Sequence, residues 1–179
     1  SVIASGESNT LRHILCISSD LICAVLACLI NGHITFKKGS FIMTKKLKTS
    51  VAEMVKHAKS RITEVTASEA LSFYENEDVV IVDIRDVRER QKLGFIPGSF
   101  HAPRGMLEFW VDPHSPYFKE IFAEDKRFVL HCASGWRSAL SAETLLDMGF
   151  EAAHISDGFS GWLAAEGPVE MPAPRPPKD

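Results

Sequence analysis

Cys132, Gly135 and Arg137 are the residues in this chain whose types and spacing could do covalent chemistry. They lie in segment 127–140, which reads RFVLHCASGWRSAL. A cysteine attacks as its thiolate, and the thiolate forms readily where positive charge and N–H dipoles converge. Arg137 can supply a full positive charge and a forked donor. Ala133, Ser134, Gly135 and Trp136 stand between it and Cys132, and Ser138 follows. The backbone N–H groups of such a loop can turn toward one point and welcome an anion. The expected chemistry is attack by sulfur on an anionic substrate, with a covalent intermediate. Taken alone, Cys132 reads as an ordinary buried cysteine, since free cysteine is among the most buried residue types. The glycine and arginine on the same short loop change that reading.

The flanking residues say what must hold the loop. Phe128, Val129, Leu130 and His131 form a short apolar and β-branched run, typical of a buried strand. From Ser138 to Leu146, Leu and Ala recur at helical spacing. Cys132 therefore sits where a strand gives way to a loop and then a helix. Open α/β sheets keep their ligand crevice at the carboxyl ends of strands, and a helix N-terminus favours negative charge. His131, one residue earlier, should face the opposite side of the strand. It reads as a hydrogen-bonded buried histidine rather than a general base.

Cys132, Gly135, Arg137 and Ser138 resemble the active-site loop of rhodanese-type sulfurtransferases, C-x-x-G-x-R followed by a small residue. His131 and Cys132 also resemble the start of the phosphatase signature H-C-x5-R. Four residues separate Cys132 from Arg137 here, where the phosphatase loop has five. The shorter amide ring makes a smaller cradle, which suits a sulfur atom better than a tetrahedral phosphate. Segment 94–103 resembles the family's G-H-I-P-G-A turn, with Phe95 in place of His and Ser99 in place of Ala. Segment 157–162 resembles its closing G-G-x-x-x-W turn, with Phe159 where the second glycine usually stands. The resemblance covers residues 61–170.

The resemblance implies an α/β, rhodanese-like three-layer domain, with a mainly parallel five-stranded sheet and helices on both faces. The alternation of strand and helix signals supports that class independently. It also implies a single-domain sulfurtransferase. Cys132 would take sulfane sulfur from a small anionic donor such as thiosulfate and carry it as a persulfide. A thiol or cyanide, or a protein sulfur acceptor, would then remove it. Arg137 and the loop residues Ala133, Ser134, Gly135, Trp136 and Ser138 would bind the donor. Ser134 and Ser138 either donate to the sulfur or shape the turn and cap the helix. Asp83 and Arg85 would form a structural ion pair bracing the loop. No metal or organic cofactor is implied, and His101, His114 and His154 show no metal-ligand spacing. Two alternatives remain: a cysteine-based phosphatase or arsenate reductase using the same loop, and a non-catalytic rhodanese-fold interaction module.

The rest of the chain sets the frame. Its 179 residues are 45% hydrophobic with net charge −3, the size of one domain plus extensions. That charge gives no electrostatic footprint for nucleic acid. Cys16, Cys23 and Cys28 lie in the first thirty residues and Cys132 stands apart, so no disulfide framework follows. A lone working thiol suits a reducing compartment, hence a cytoplasmic location. Residues 1–42 read as a leader or non-native extension, disordered, with Met43 as the natural start. The apolar run 14–30 is short for a membrane span, and Asp20 within it is costly there. An exported or membrane-anchored protein follows only if residues 1–30 are a genuine signal. Residues 43–60 should form an amphipathic helix packed on the domain, residues 61–170 the catalytic domain, and residues 171–179 a Pro-rich tail. Within the domain, strands are expected at 62–65, 79–82 and 152–155. Helices are expected from 67 to about 74 and from 87 through about 92. A helical turn at 106–110 lies in an aromatic connection whose Phe109, Trp110, Tyr117, Phe118 and Phe122 either seal the core or wall the site.

Overall fold

The computed structural model describes residues 34–37, 40–43 and 47–173. The chain divides into two compact units, Ser1–Ser50 and Val51–Asp179. In the first, β1 (Ile34–Lys37) and β2 (Ser40–Met43) pair antiparallel, with Ile34 opposite Met43 and Lys37 opposite Ser40. The sequence reading expects a disordered leader over residues 1–42 and a helix over 43–60; the structure instead has two strands at 34–37 and 40–43, and its helix spans Val51–Lys59. Of the expected leader, residues 1–42, positions 1–33, 38 and 39 lie outside the described residues, as does the end of the Pro-rich tail, residues 174–179.

The second unit holds the site. In chain order it contains α1 (Val51–Lys59), β3 (Glu64–Val65), α2 (Ala67–Leu71), β4 (Val79–Asp83), α3 (Val87–Leu93) and β5 (Phe100–His101). A 3-10 turn (Arg104–Met106) and α4 (Leu107–Val111) follow, then a second 3-10 turn (Glu120–Ala123). The chain closes with β6 (Arg127–His131), α5 (Trp136–Asp147), β7 (Ala152–Ile155) and α6 (Gly158–Ala164). The strands line up as β3-β7-β6-β4-β5, with every pairing parallel.

Register and the period of two explain the layers. Val80 lies beside Phe128 and Val82 beside Leu130. These four side chains share one face with Leu107, Val111, Phe122, Ala142 and Leu145. Ile81 and Val129 point the other way, with Ile155, Ala67, Ala70, Phe159 and Trp162. Helices thus cover both faces, which is why the central strands read as continuous apolar runs. Val55 and Ala58 of α1 bury against Ala139 of α5, so the amphipathic helix packs on the domain. Among the described residues, no helix is long and apolar enough to cross a membrane.

Two helix starts are fixed by reciprocal caps. Thr66 and Glu69 form one box and Asp86 and Glu89 the other. Helix α2 stops at Leu71, three residues before the expected end, where the Ser72 hydroxyl donates back to the Glu69 carbonyl at 2.6 Å. Tyr74 instead packs edge-on against Trp162 at 5.3 Å. Of the aromatic connection's two expected roles, the core-sealing one is seen at Phe122. Phe122 is buried against Phe100, Phe128 and Phe150, whereas Phe109 and Tyr117 pack on each other and stay exposed.

Candidate active site

Parallel β6 ends at His131, so Cys132 opens the loop at the carboxyl edge of the sheet. Its side chain is 1% exposed and packs with Leu130, Val82 and Ala142. The loop is short because Gly135, at φ 83°, turns the chain straight into α5. A Cβ at Gly135 would lie 2.0 Å from the Ser156 carbonyl oxygen, so only glycine fits between loop and strand end.

The loop's carbonyls are tied down from outside. Phe159 N–H donates to Cys132 O at 2.8 Å, and Ser160 N–H to Ala133 O at 2.9 Å. The closing turn approaches so tightly that a Cβ on Gly158 would meet Ala133 O at 2.8 Å. With its carbonyls held outward, the loop is free to aim N–H groups at the sulfur. The backbone N–H groups of Ser134 and Ser138 both act on Cys132. Ser138 is the third residue of α5, so its N–H has no partner within the helix and is available to an anion.

Burial by itself pushes the Cys132 thiol up, away from ionisation. The Ser138 hydroxyl, the two backbone N–H groups and the Arg137 charge together outweigh it and hold the thiol below its ordinary value. The Ser138 Oγ stands 3.6 Å from Cys132 Sγ, 3.1 Å from Gly135 O and 3.2 Å from His154 Nδ1. Of its two expected roles, Ser138 therefore touches the sulfur as well as the turn. Ser134 offers its backbone N–H while its side chain is exposed. Ala133 is half-buried, and Trp136 is 48% exposed beside the loop.

Arg137 is held differently from the sequence expectation. Its two terminal nitrogens donate to the two oxygens of Glu89, each at 2.7 Å. This forked pair raises the Arg137 pKa, first through the Glu89 hydrogen bonds, and holds the Glu89 carboxyl below its usual range. Arg137 acts on Cys132 through its charge and a side-chain hydrogen bond, while its two terminal nitrogens also hold Glu89. Glu89 was missed in the sequence reading. Its signal was the Asp86-x-x-Glu89 pattern, which puts it on the first turn of α3.

Asp83 and Arg85 form the expected ion pair, and both are fully buried. Arg85 Nε donates to Asp83 Oδ1 at 2.9 Å and Nη2 to Oδ2 at 2.8 Å. Nη2 also donates to Gly94 O, and the guanidinium lies 3.8 Å over the Phe159 ring. Burial raises the Asp83 pKa, and Arg85 with His131 more than reverses it. The pair braces the strand edge next to the loop, for Asp83 is in register with His131 and Ile84 N–H donates to His131 O. His131 faces this side, away from the sulfur, as expected. It is fully buried, stacks on Phe159, and burial pushes its pKa down to about 4.

His154, which the sequence reading considered only as a metal ligand, and Glu64 and Lys59, which it did not single out, lie next to the loop. His154 of β7 is buried, with Nδ1 toward Ser138 and Nε2 2.9 Å from Glu64 Oε1. Lys59 stands 2.7 Å from the same Glu64 oxygen. Strand alternation in β7 was the available signal for His154, since it shares a face with Ala152 and not with Ile155. A hollow of about 390 Å³ lies at the other end of the strands, against Arg127, Phe128 and Ala152, and no loop residue lines it. Among the described residues, no three His, Cys, Asp or Glu side chains gather as a metal site requires.

Comparison with known proteins places this geometry. The rhodanese-like domain model matches residues 66–165. A thiosulfate sulfurtransferase GlpE of Glaesserella parasuis is 30% identical over 110 residues, 61% of this chain and 94% of that protein. A mouse thiosulfate sulfurtransferase/rhodanese-like domain-containing protein 3 is 30% identical over 108 residues, 57% of this chain and 69% of that one. A solved structure from Rhodopseudomonas palustris superposes with TM-score 0.69 at 50% identity, over 72% of this chain and all of that one. That protein is of unknown function and described as a possible tyrosine phosphatase. With the model matched across the cysteine loop, its flanking strands and the closing turn, the chain belongs to the rhodanese-like domain family.

Proposed function

We propose that this protein moves sulfane sulfur through Cys132, from a small anionic donor such as thiosulfate to a thiol, cyanide or a protein acceptor. The observation that carries the reading is a buried cysteine sulfur met by the backbone N–H groups of Ser134 and Ser138, the Ser138 hydroxyl and the Arg137 charge. The Cys132 thiolate attacks the outer sulfur of the donor; the S–S bond breaks and sulfite leaves with the bonding pair. The persulfide's outer sulfur then rests among the loop N–H groups, which stabilise its charge without reorganising. An acceptor nucleophile takes that sulfur, and the electron pair returns to Cys132. Curated relatives named thiosulfate sulfurtransferase support the class. Such chemistry, on a free thiol, suits a cytoplasmic setting.

A cysteine-based phosphatase is the second reading, favoured by the 50% identical neighbour described as a possible tyrosine phosphatase. Against it stands the loop of four residues between Cys132 and Arg137. The deciding experiment sets thiocyanate formation from thiosulfate and cyanide beside hydrolysis of an aryl phosphate, on the parent and on Cys132→Ser. Sulfur transfer in the parent, lost in the variant, is the expected result. Efficient aryl phosphate hydrolysis with negligible thiocyanate formation would overturn it.

A further inference from the structure

A continuous hydrogen-bonded path leaves the reactive sulfur through the interior and ends at the surface. It runs from Cys132 Sγ to Ser138 Oγ (3.6 Å), to His154 Nδ1 (3.2 Å), across the ring, and from Nε2 to Glu64 Oε1 (2.9 Å). Ser138 and His154 are fully buried, while the Glu64 side chain is 36% exposed. The path is assembled by strand order: β7 sits between β3 and β6, so Glu64 and Leu130 flank His154. From Cys132 to Glu64, every link joins elements distant in the chain or crosses the loop.

We propose that Ser138, His154 and Glu64 form a proton relay that takes the proton of Cys132 as the thiolate forms. The inference rests on Cys132 being the nucleophile.

Proton counting along the path explains why. The Glu64 carboxyl is held below its usual range, where burial is outweighed by hydrogen bonds from Lys59 and His154. An ionised Glu64 has only acceptors, so it requires a proton on His154 Nε2. Burial lowers the pKa of His154, which keeps the ring neutral and leaves Nδ1 as an acceptor. Ser138 has one proton to give, and Cys132 Sγ, Gly135 O and His154 Nδ1 all stand within its reach. With Cys132 as the thiol, S–H donates to Ser138 Oγ and Ser138 O–H donates to Nδ1. With Cys132 as the thiolate, the hydroxyl must donate to sulfur instead. Nδ1 would then face a bare oxygen lone pair unless it has gained a proton. In the relay the two events are one, and the hydroxyl leaves its other acceptor, Gly135 O at 3.1 Å, to take part. The S–H bond breaks, its proton passes to Ser138 Oγ, and the former Ser138 proton goes to Nδ1. The imidazolium is stabilised by Glu64 and opposed by Lys59, the charged groups that act on it. No electrons are gained or lost, and the proton returns along the same path when the persulfide is unloaded to a thiol. His154 and Glu64 are positioning residues here, for they act on sulfur through Ser138.

The test reads thiol ionisation rather than turnover, so its outcome is separate from that of the sulfur-transfer assay. The full chain, His154→Leu and Glu64→Gln are alkylated with iodoacetamide from mildly acidic to alkaline pH. The Cys132 peptide is followed by mass, so Cys16, Cys23 and Cys28 do not contribute. The expected result is a midpoint about one pH unit higher in His154→Leu, hence alkylation about tenfold slower on the acidic side of both midpoints. The alkaline plateau is unchanged. Glu64→Gln moves the midpoint the same way by less. A packing role for His154 would alter melting temperature without moving the midpoint, and an unmoved or lowered midpoint in folded His154→Leu overturns the relay. If His154→Leu does not fold, the Glu64→Gln midpoint decides by the same criterion.

Discussion

Alanine at Gly135 separates the shape of the sulfur cradle from its chemistry, because no donor to the sulfur is removed. The substitution meets two obstacles. Gly135 has φ 83°, and an alanine held in the left-handed region costs about 1–2 kcal/mol. Its Cβ would also stand 2.0 Å from Ser156 O and 2.8 Å from the Ser156 carbonyl carbon. Both are backbone atoms at the end of β7, which cannot swing aside as a flexible side chain does. Loop and strand end must part by about 1 Å to reach the 3.0 Å below which such contacts essentially never fall. Overpacking of this kind costs about 1–3 kcal/mol, for a total of roughly 2–5 kcal/mol. That is less than most domains can lose before unfolding. Gly149 is the control, since it has φ 86° and nothing within 4 Å of its Cβ position. Gly149→Ala should show the backbone cost alone, about 1–2 kcal/mol, with normal turnover. Displacing the loop by about 1 Å should slow sulfur transfer on the order of a hundredfold in Gly135→Ala. Urea unfolding gives the stabilities and thiocyanate formation the rates. If Gly135→Ala matches Gly149→Ala in stability and turns over at the parent's rate, the close approach to Ser156 does not shape the cradle.

Cys132→Ser should take up no sulfur, read as the absence of a one-sulfur mass increase after thiosulfate exposure and gentle desalting, with circular dichroism unchanged. One glycine inserted after Ser134 should widen the amide ring; losing one charge-assisted N–H partner costs on the order of 1.5–3 kcal/mol, or roughly tenfold to a hundredfold in rate. Phosphate should bind that variant no worse than the parent. His131 gives a pH dependence: its folded pKa is depressed to about 4 from an ordinary 6.5, so the unfolded chain binds the extra proton first. Stability is full above about pH 6.5 and falls by about 3 kcal/mol as pH drops through 4. Melting temperature measured across that window should fall steeply in the parent and less in His131→Gln; equal slopes refute the assignment. Asp83→Asn should destabilise by about 3–5 kcal/mol, because it leaves the buried Arg85 charge uncompensated, read by denaturant unfolding against an exposed Asp86→Asn control.

The local geometry of the cysteine was legible before any fold was in hand. An apolar run ending at His131, a glycine three residues past Cys132 and helical spacing from Ser138 are near-neighbour patterns, and local backbone preferences decide them. The same holds for the strand at 152–155, whereas the Asp83–Arg85 pair was implied by the family resemblance and not by spacing. Helix α2 was drawn too long because propensity alone does not place the stop that the Ser72 hydroxyl makes at Glu69 O.

What surrounds the sulfur was decided elsewhere. Glu89 reaches Arg137 across 48 residues of chain, and Glu64 reaches His154 across 90. Nothing in the spacing of those residues pairs them. They meet because β7 enters the sheet between β3 and β6, and because α3 is packed with its first turn toward the loop. Sequence periodicity tells each strand which face is apolar, but it carries no information on which strand lies beside which. That order is set by the burial of all the apolar faces at once. The nucleophile and its loop are therefore properties of a short segment, whereas the partner of Arg137 and the path from Cys132 to the surface are properties of the folded sheet.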